Sequence, residues 1–308
     1  MRVVIGTRGS TLALWQTQYV AEQLGAAKPC IEFQIKTIQT RGDLIRDRAL
    51  SQVGGKGLFV KEIENALASG KIDLAVHSLK DMPTEQPQGL TLGAILERAD
   101  PRDALVVRGG TGDLDSLPPG ARVGTSSLRR RAQLLAARPD LRVLDLRGNV
   151  DTRLRNLHEG RYDAVVLAVV GLVRLGHADA IGHALPVDLM LPAVGQGALC
   201  VEVRGDDNAT QSLISLLDHL PTRWATLAER AFLRRLEGGC QVPIGAFAQV
   251  DDGQIRLRGL VAALDGSRLV RDEIRGPAEQ AETLGSDLAE RLLAVGGEGI
   301  LEEVRRAS

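Results

Sequence analysis

The stretch Arg2-Val-Val-Ile-Gly-Thr-Arg-Gly-Ser10 decides the fold. Residues 2–6 form a short apolar run that reads as a strand, and Thr7-Arg-Gly-Ser10 ends it in a polar turn. Ser10 then stands as the N-cap of a helix whose apolar period passes through Leu14, Val20 and Leu24. Strand, polar turn and amphipathic helix together open a βαβ unit.

The same rhythm recurs downstream. Strands are predicted at 32–39, 72–77 and 90–96, with a helix over 58–68. The polar segment Arg98-Ala-Asp-Pro-Arg-Asp103 reads as a domain crossing. A second α/β unit follows, with strands at 104–107, 122–124, 142–146 and 164–168 and helices over 127–137 and 150–159. Leu191-Pro-Ala-Val-Gly-Gln-Gly197 is a Gly/Pro-rich link, and a strand at 198–203 and a helix over 208–217 come after it. Beyond Pro221 the pattern changes to a helix over 222–236, strands at 246–250, 254–264 and 267–275, and one last helix over 277–294. The expected fold is α/β: two doubly wound α/β domains resembling two-lobed periplasmic binding proteins, plus a small α+β C-terminal domain.

Composition narrows the function. With 308 residues, 44% hydrophobic and 25% charged, the chain has room for two or three cores. A net charge of -1 and 3% aromatic residues argue against a nucleic-acid binder, which needs cations for phosphate and rings for stacking. Cys30, Cys200 and Cys240 are too far apart for a disulfide framework or a paired-cysteine metal site, and the histidines show no ligand spacing, so no metal is expected. The N-terminus lacks a secretory apolar core, and no apolar run reaches membrane-spanning length, so no membrane partner and a cytoplasmic location are expected.

The cations gather at strand ends, where open α/β sheets bind ligands. The predicted strands run into Thr7-Arg-Gly-Ser10, Ser78-Leu-Lys-Asp81, Thr125-Ser-Ser-Leu-Arg-Arg130 and Arg147-Gly-Asn-Val-Asp-Thr-Arg153, with Arg174 one turn beyond residue 168. Any one of these would pass as a solvated cation, but five strand ends each carrying an arginine or a lysine do not. Arg129 and Arg130 fall in the first turn of a helix, where the macrodipole disfavours cations by about 0.3–1 kcal/mol each. A bound anion would resolve that conflict. Several guanidinium forks suit a ligand with many carboxylates better than a single phosphate.

Two further features complete the picture. Asp81, between Lys80 and Pro83, offers an ionised carboxylate in a basic cleft that can stabilise a developing cation or exchange a proton. Cys240 lies in Leu236-Glu-Gly-Gly-Cys-Gln-Val-Pro-Ile-Gly245, where two glycines and a proline place the sulfur on a turn, open to attachment. No phosphate-binding GxxxxGK[ST] loop and no strand-linked GxGxxG is present. His77 reads as packing, Cys200 as a core residue, and Asp151 as a helix cap that adds negative charge near the arginines.

The chain resembles the porphobilinogen deaminase (hydroxymethylbilane synthase) family over nearly its whole length. The resemblance is carried by Thr7-Arg-Gly-Ser10 with Leu12-Ala-Leu-Trp-Gln16, Thr40-Arg-Gly-Asp43, Val53-Gly-Gly-Lys-Gly-Leu-Phe59, His77-Ser-Leu-Lys-Asp81, Gly124-Thr-Ser-Ser-Leu-Arg-Arg130, Leu146-Arg-Gly-Asn149, Leu191-Pro-Ala-Val-Gly-Gln-Gly197 and the Cys240 segment. It implies an enzyme that condenses four porphobilinogen molecules into a linear tetrapyrrole and releases ammonia. It also implies a dipyrromethane cofactor held by a thioether at Cys240. Catalytic roles would fall to Asp81, Lys80 and Arg8. The cofactor would be held by Cys240, Asp81, Lys80, Ser78, Thr125, Ser126, Ser127, Arg129, Arg130, Arg147 and Gly148. The substrate would meet Arg8, Ser10, Lys56, Phe59, Arg147, Arg153, Arg174 and Gln196. The implied domains are 1–98 with 197–217, then 99–196, then 218–308 bearing Cys240, in a monomer. The rival reading is a non-catalytic, two-lobed small-anion binding protein, for which the third domain and its Gly-Gly-Cys turn have no use.

Overall fold

A computed structural model of the chain describes residues 2–44, 57–236 and 242–307. In chain order the first described elements are β1 (Arg2–Thr7), α1 (Thr11–Ala27), β2 (Glu32–Thr37), α2 (Lys61–Ala68), β3 (Leu74–Ser78) and β4 (Leu90–Ile95). Next come β5 (Asp103–Val107), β6 (Arg122–Gly124), α3 (Leu128–Ala137), β7 (Arg142–Leu144), α4 (Val150–His158), β8 (Ala164–Ala168), α5 (Val169–Arg174) and β9 (His183–Ala184). The chain continues through β10 (Leu199–Arg204), α6 (Asn208–Ile214), α7 (Leu220–Arg235), β11 (Ile244–Asp251), β12 (Gln254–Ala262), β13 (Leu269–Pro277), α8 (Ala281–Leu292) and α9 (Glu298–Ala307). Two compact units result, Met1–Ala99 with Gly197–Arg223, and Asp100–Gln196 with Trp224–Ser308.

The first unit is built on a five-stranded sheet of order β2-β1-β3-β10-β4. The strands β1, β2 and β3 run parallel, while β10 is antiparallel to both its neighbours. Val3, Ile5, Leu74, Val76 and Val201 meet Val20 and Leu24 of α1 in the core. Leu14, expected on that buried stripe, is instead 38% exposed, and the start of the helix turns Gln16 and Thr17 inward. The inward face of α1 is thus polar where it overhangs the ends of β1 and β3.

The second unit holds a sheet of order β7-β6-β8-β5-β9 and a meander of order β11-β12-β13. Here β6, β7 and β8 are parallel and β5 is antiparallel. Residues 100–196 and 224–308, expected to fall in separate domains, lie in one compact unit, while residues 218–223 go with the first unit. They share a core of Ala132, Leu191, Phe247, Leu260 and Ala262. The turn before β13 presses on α3 so closely that a Cβ on Gly266 would lie 2.4 Å from Ala136 N, and its φ of +74° also requires glycine. Buried Glu229 of α7 ties the link to the meander, accepting from Gly195 N at 2.7 Å and Ala248 N at 2.8 Å.

The end of the chain corrects the sequence expectation. The predicted helix over 277–294 is α8, which starts only at Ala281, and beyond a kink in which Gly296 has φ of +111° a further helix, α9, follows that the sequence pattern did not predict. Pro277 belongs to β13, an edge strand, where a missing N–H costs no ladder bond on its open side. Among the described residues no helix is long and apolar enough to cross a membrane.

Candidate functional site

In the first unit β1 lies between β2 and β3, so the sheet order switches direction there, and the carboxyl ends of β1 and β3 open a pocket. Arg8, Ser10, Gln16, Phe59, Ser78 and Asp81 line it. Ser10 caps α1, accepting from Ala13 N at 3.3 Å. Gln16 Nε2 donates to Ser78 Oγ at 2.9 Å, which joins α1 to the end of β3. A single turn, Leu79–Asp81, then projects the exposed Asp81 carboxylate at the pocket.

Arg8 is not free in this pocket. Its Nη2 donates to Asp43 Oδ1 at 2.5 Å, its Nε lies 3.2 Å from the same oxygen, and its guanidinium stacks 4.3 Å from the centroid of the Phe59 ring. Thr40 Oγ1 donates to the other Asp43 oxygen at 2.7 Å. Burial alone would raise the Asp43 carboxyl, but the Arg8 and Thr40 hydrogen bonds reverse this and hold it below the usual range. Asp43 was read only as part of a motif. What gives it a role is the contact with Arg8, 35 positions away.

In the second unit the strand ends carry the arginines. Ser127 caps α3, accepting from Arg130 N at 3.4 Å. Ser126 bridges to the next loop: it donates to Leu146 O at 2.9 Å and accepts from Leu146 N at 3.0 Å. Thr125 is buried and accepts from Ser127 N at 3.2 Å. Gly148 has φ of +101°, and its carbonyl receives Arg153 Nε at 2.8 Å. Asn149, rather than Asp151, caps α4, accepting from Thr152 N at 2.9 Å. Asp151 sits 2.9 Å from His177 Nε2, so its charge has a local partner.

The structure corrects the reading of Arg129 and Arg130. They do not wait for a bound anion to offset the helix dipole, because Asp103 already does so. Arg129 Nη1 lies 2.8 Å from Asp103 Oδ2 and 2.7 Å from Leu191 O, and Arg130 Nη2 lies 2.7 Å from Asp103 Oδ1. The three residues are 5%, 7% and 0% exposed. Gln196, expected against substrate, is buried too, and its amide donates to Pro101 O at 2.7 Å and Asp103 Oδ1 at 2.9 Å. Asp103 had been read as the end of a polar crossing, but it opens β5 inside the unit.

One carboxylate shared by two guanidiniums leaves positive charge over. Burial would raise Asp103, yet the two arginines drive it far below the ordinary range, whereas Arg129 is pushed down because burial outweighs its share of one aspartate. The excess reaches further. Arg153, half-buried, is pushed down to about 10 by burial and by the charges of Arg130 and Arg147. Among the described residues neither Arg147 nor Arg153 has a carboxylate partner, so this cluster is fit to receive carboxylates. Arg174 ends α5 beyond β8, partly exposed. Lys80 is likewise partly exposed beside Asp81. Lys56 and Cys240 lie outside the described residues. Among those described, Cys200 is buried as expected, Cys30 is exposed, and no group of acidic, His or Cys side chains could hold a metal.

Asp103→Asn is expected to destabilise the protein by about 3–5 kcal/mol, because it strands buried guanidiniums without a counter-charge. The native carboxyl is depressed, so its contribution is complete above the unfolded-state value of about 3.9 and is lost only as pH falls through the lower folded value. Denaturant titrations of both proteins from neutral to acid pH measure this, and equal midpoints at pH 7 would refute it.

Residues 3–212 match the family described as porphobilinogen deaminase, dipyromethane cofactor binding domain, and residues 224–294 match the porphobilinogen deaminase C-terminal domain. A porphobilinogen deaminase of Pelobacter propionicus is 55% identical over 300 residues, covering 97% of this chain and 96% of that protein. One of Geobacter sulfurreducens is 54% identical, covering 98% and 95%. Among solved structures, a putative methionine-binding lipoprotein of Bacillus subtilis overlaps 70% of this chain and 89% of its own at 10% identity, with a TM-score of 0.44.

Proposed function

The chain belongs to the porphobilinogen deaminase family, and from that premise we propose which of its residues carry the reaction. The protein is a transferase, hydroxymethylbilane synthase, of tetrapyrrole and haem biosynthesis. It condenses four porphobilinogen molecules stepwise on a dipyrromethane primer, releasing ammonia and hydroxymethylbilane.

The residues present fit such a primer. Its carboxylate arms require cations, which the unpaired charge around Arg147 and Arg153 supplies. Its pyrrole N–H groups require an acceptor, which the exposed Asp81 carboxylate supplies. When bound, the dipyrromethane provides the nucleophilic α-carbon, and Cys240 is proposed as its thioether anchor.

As ammonia departs from porphobilinogen, positive charge spreads onto the substrate pyrrole N–H. Asp81 accepts that N–H and opposes the charge, with Lys80 beside it. Arg8, Ser10, Phe59 and Lys56 bind and orient the substrate in the first unit. Arg147, Arg153, Arg174, Ser126 and the Gly148 turn bind carboxylate arms in the second. Thr125, Ser127 and Gln196 fix the loops, and buried Arg129 and Arg130 act on the arms through their charge. Each of the two five-stranded sheets thus has one task. The enzyme works as a monomer in the cytoplasm, and its charge of -1 and low aromatic content favour no nucleic-acid partner.

The observation that carries this reading is the exposed Asp81 carboxylate sharing a pocket with Arg8 at the switch point of the first sheet. Incubating the purified chain with porphobilinogen tests it. Ammonia release with a coloured adduct in Ehrlich's aldehyde reagent is expected, whereas an anion-binding protein would bind porphobilinogen without consuming it. Arg153→Gln should remove one charge-assisted contact worth about 1.5–3 kcal/mol, raising KM roughly 10- to 150-fold. An unchanged KM would remove Arg153 from the substrate site.

A further inference from the structure

Beneath the pocket of the first unit lies a cluster of ionisable groups that the reaction as described does not use. His77 of β3 lines the pocket but is only 5% exposed, and its Nε2 lies 3.2 Å from Oε2 of Glu202 on β10. Glu202 is fully buried. In the antiparallel register Glu202 pairs with Ala75 and Cys200 with His77, so His77 and Glu202 project from one face of the sheet.

Glu64 of α2 reaches the same place. The buried stripe of that helix is Ile63, Glu64 and Leu67, with Val60 buried just before it, so a carboxylate occupies a core position of an otherwise apolar face. Among the described residues, Glu64 Oε1 and both carboxylate oxygens of Glu202 find no hydrogen-bond donor in good geometry, and the approach of His77 is the close polar contact recorded there. Burial and the charge of Glu202 push the Glu64 carboxyl up, against the opposing pull of His77 and Lys61. The facing ionisable groups are therefore Glu64 and Lys61 on α2, Glu202 on β10, and Arg8 and Asp81 across the pocket.

Two buried carboxylates without donors are costly, and replacing such groups by neutral ones is often neutral or stabilising. Rules broken at a cost to stability tend to mark function. His77 is the residue immediately before Ser78-Leu-Lys-Asp81, and Leu79 N is anchored to Ala198 O at 3.0 Å next to β10. We propose that Glu202, acting through His77 with Glu64 as the second carboxylate of a buried cluster, is a positioning residue that sets the orientation and the electrostatic surroundings of the Ser78–Asp81 turn. The cluster holds the imidazole in one orientation at the pocket wall, and its protonation changes the field that Asp81 experiences. The inference rests on the reading of Asp81 as the reacting carboxylate.

The test is Glu202→Gln in the full chain carrying its cofactor, compared with the parent protein for kcat, KM, the pH profile of kcat and the thermal midpoint. Turnover by the parent checks the functional reading on its own, so failure there is distinguishable from failure of this inference. The variant should lose about tenfold or more in kcat, keep KM within about twofold, alter the pH profile, and show a midpoint equal to or above that of the parent. An unchanged kcat and pH profile, whatever the midpoint, would overturn the proposal and leave the cluster as packing. If Glu202→Gln yields no folded protein, Glu64→Gln takes its place. A loss of kcat with altered pH profile then supports the proposal, and parent-like kinetics overturn it.

Discussion

Asp81→Asn is expected to lower kcat by about 10²–10³, the loss that follows removal of one preorganised charge-stabilising group from an active site, or about 2.7–4 kcal/mol. The amide keeps the shape of the side chain and its place on the Leu79–Asp81 turn, so the fold and the Gln16–Ser78 contact should survive. What it loses is the negative charge that opposes the cation left when ammonia departs. The substrate carboxylates are held elsewhere, so KM should move far less than kcat. Steady-state rates of ammonia release measure both, and a variant with the parent kcat would remove Asp81 from the chemistry.

Cys240→Ser is expected to leave the chain without its primer and reduce turnover to background. A thiolate is available near neutral pH and is strongly nucleophilic, whereas a serine hydroxyl without an adjacent base is not. The intact mass of the parent should exceed that of the bare chain by two pyrrole units, and the variant should weigh no more than its sequence. An adduct of the same mass on the serine variant would show that the anchor is another residue. The arginines should be unaffected, so the variant should still bind porphobilinogen.

The fold was legible where short apolar runs alternate with polar turns. Residues 122–124 and 164–168 become β6 and β8 with the predicted bounds. The strand ends were legible too, since Ser78–Asp81 and Thr125–Arg130 follow strands whose direction the pattern already gives. What the pattern hid depends on contacts through space. Asp103 meets Arg130 across 27 positions, and nothing in its own neighbourhood marks it as the counter-charge of two buried guanidiniums. Glu64 and Glu202 were invisible for the same reason, as each reads as an ordinary acidic residue until α2 lies on β3 and β10. The helix α9 was missed because Gly296-Gly297 reads as the end of helical structure, whereas in the fold Gly296 only kinks the chain before a new helix starts at Glu298.

The place of β10 has a consequence for synthesis on the ribosome. It fills the gap between β3 and β4, pairing Cys200 with both His77 and Ile95. The N-terminal strands emerge first, but their sheet lacks an inner strand until Leu199–Arg204 has been translated. The nascent chain therefore presents open edges of β3 and β4 while the whole intervening segment is made, a period in which chaperone capture competes with strand mispairing.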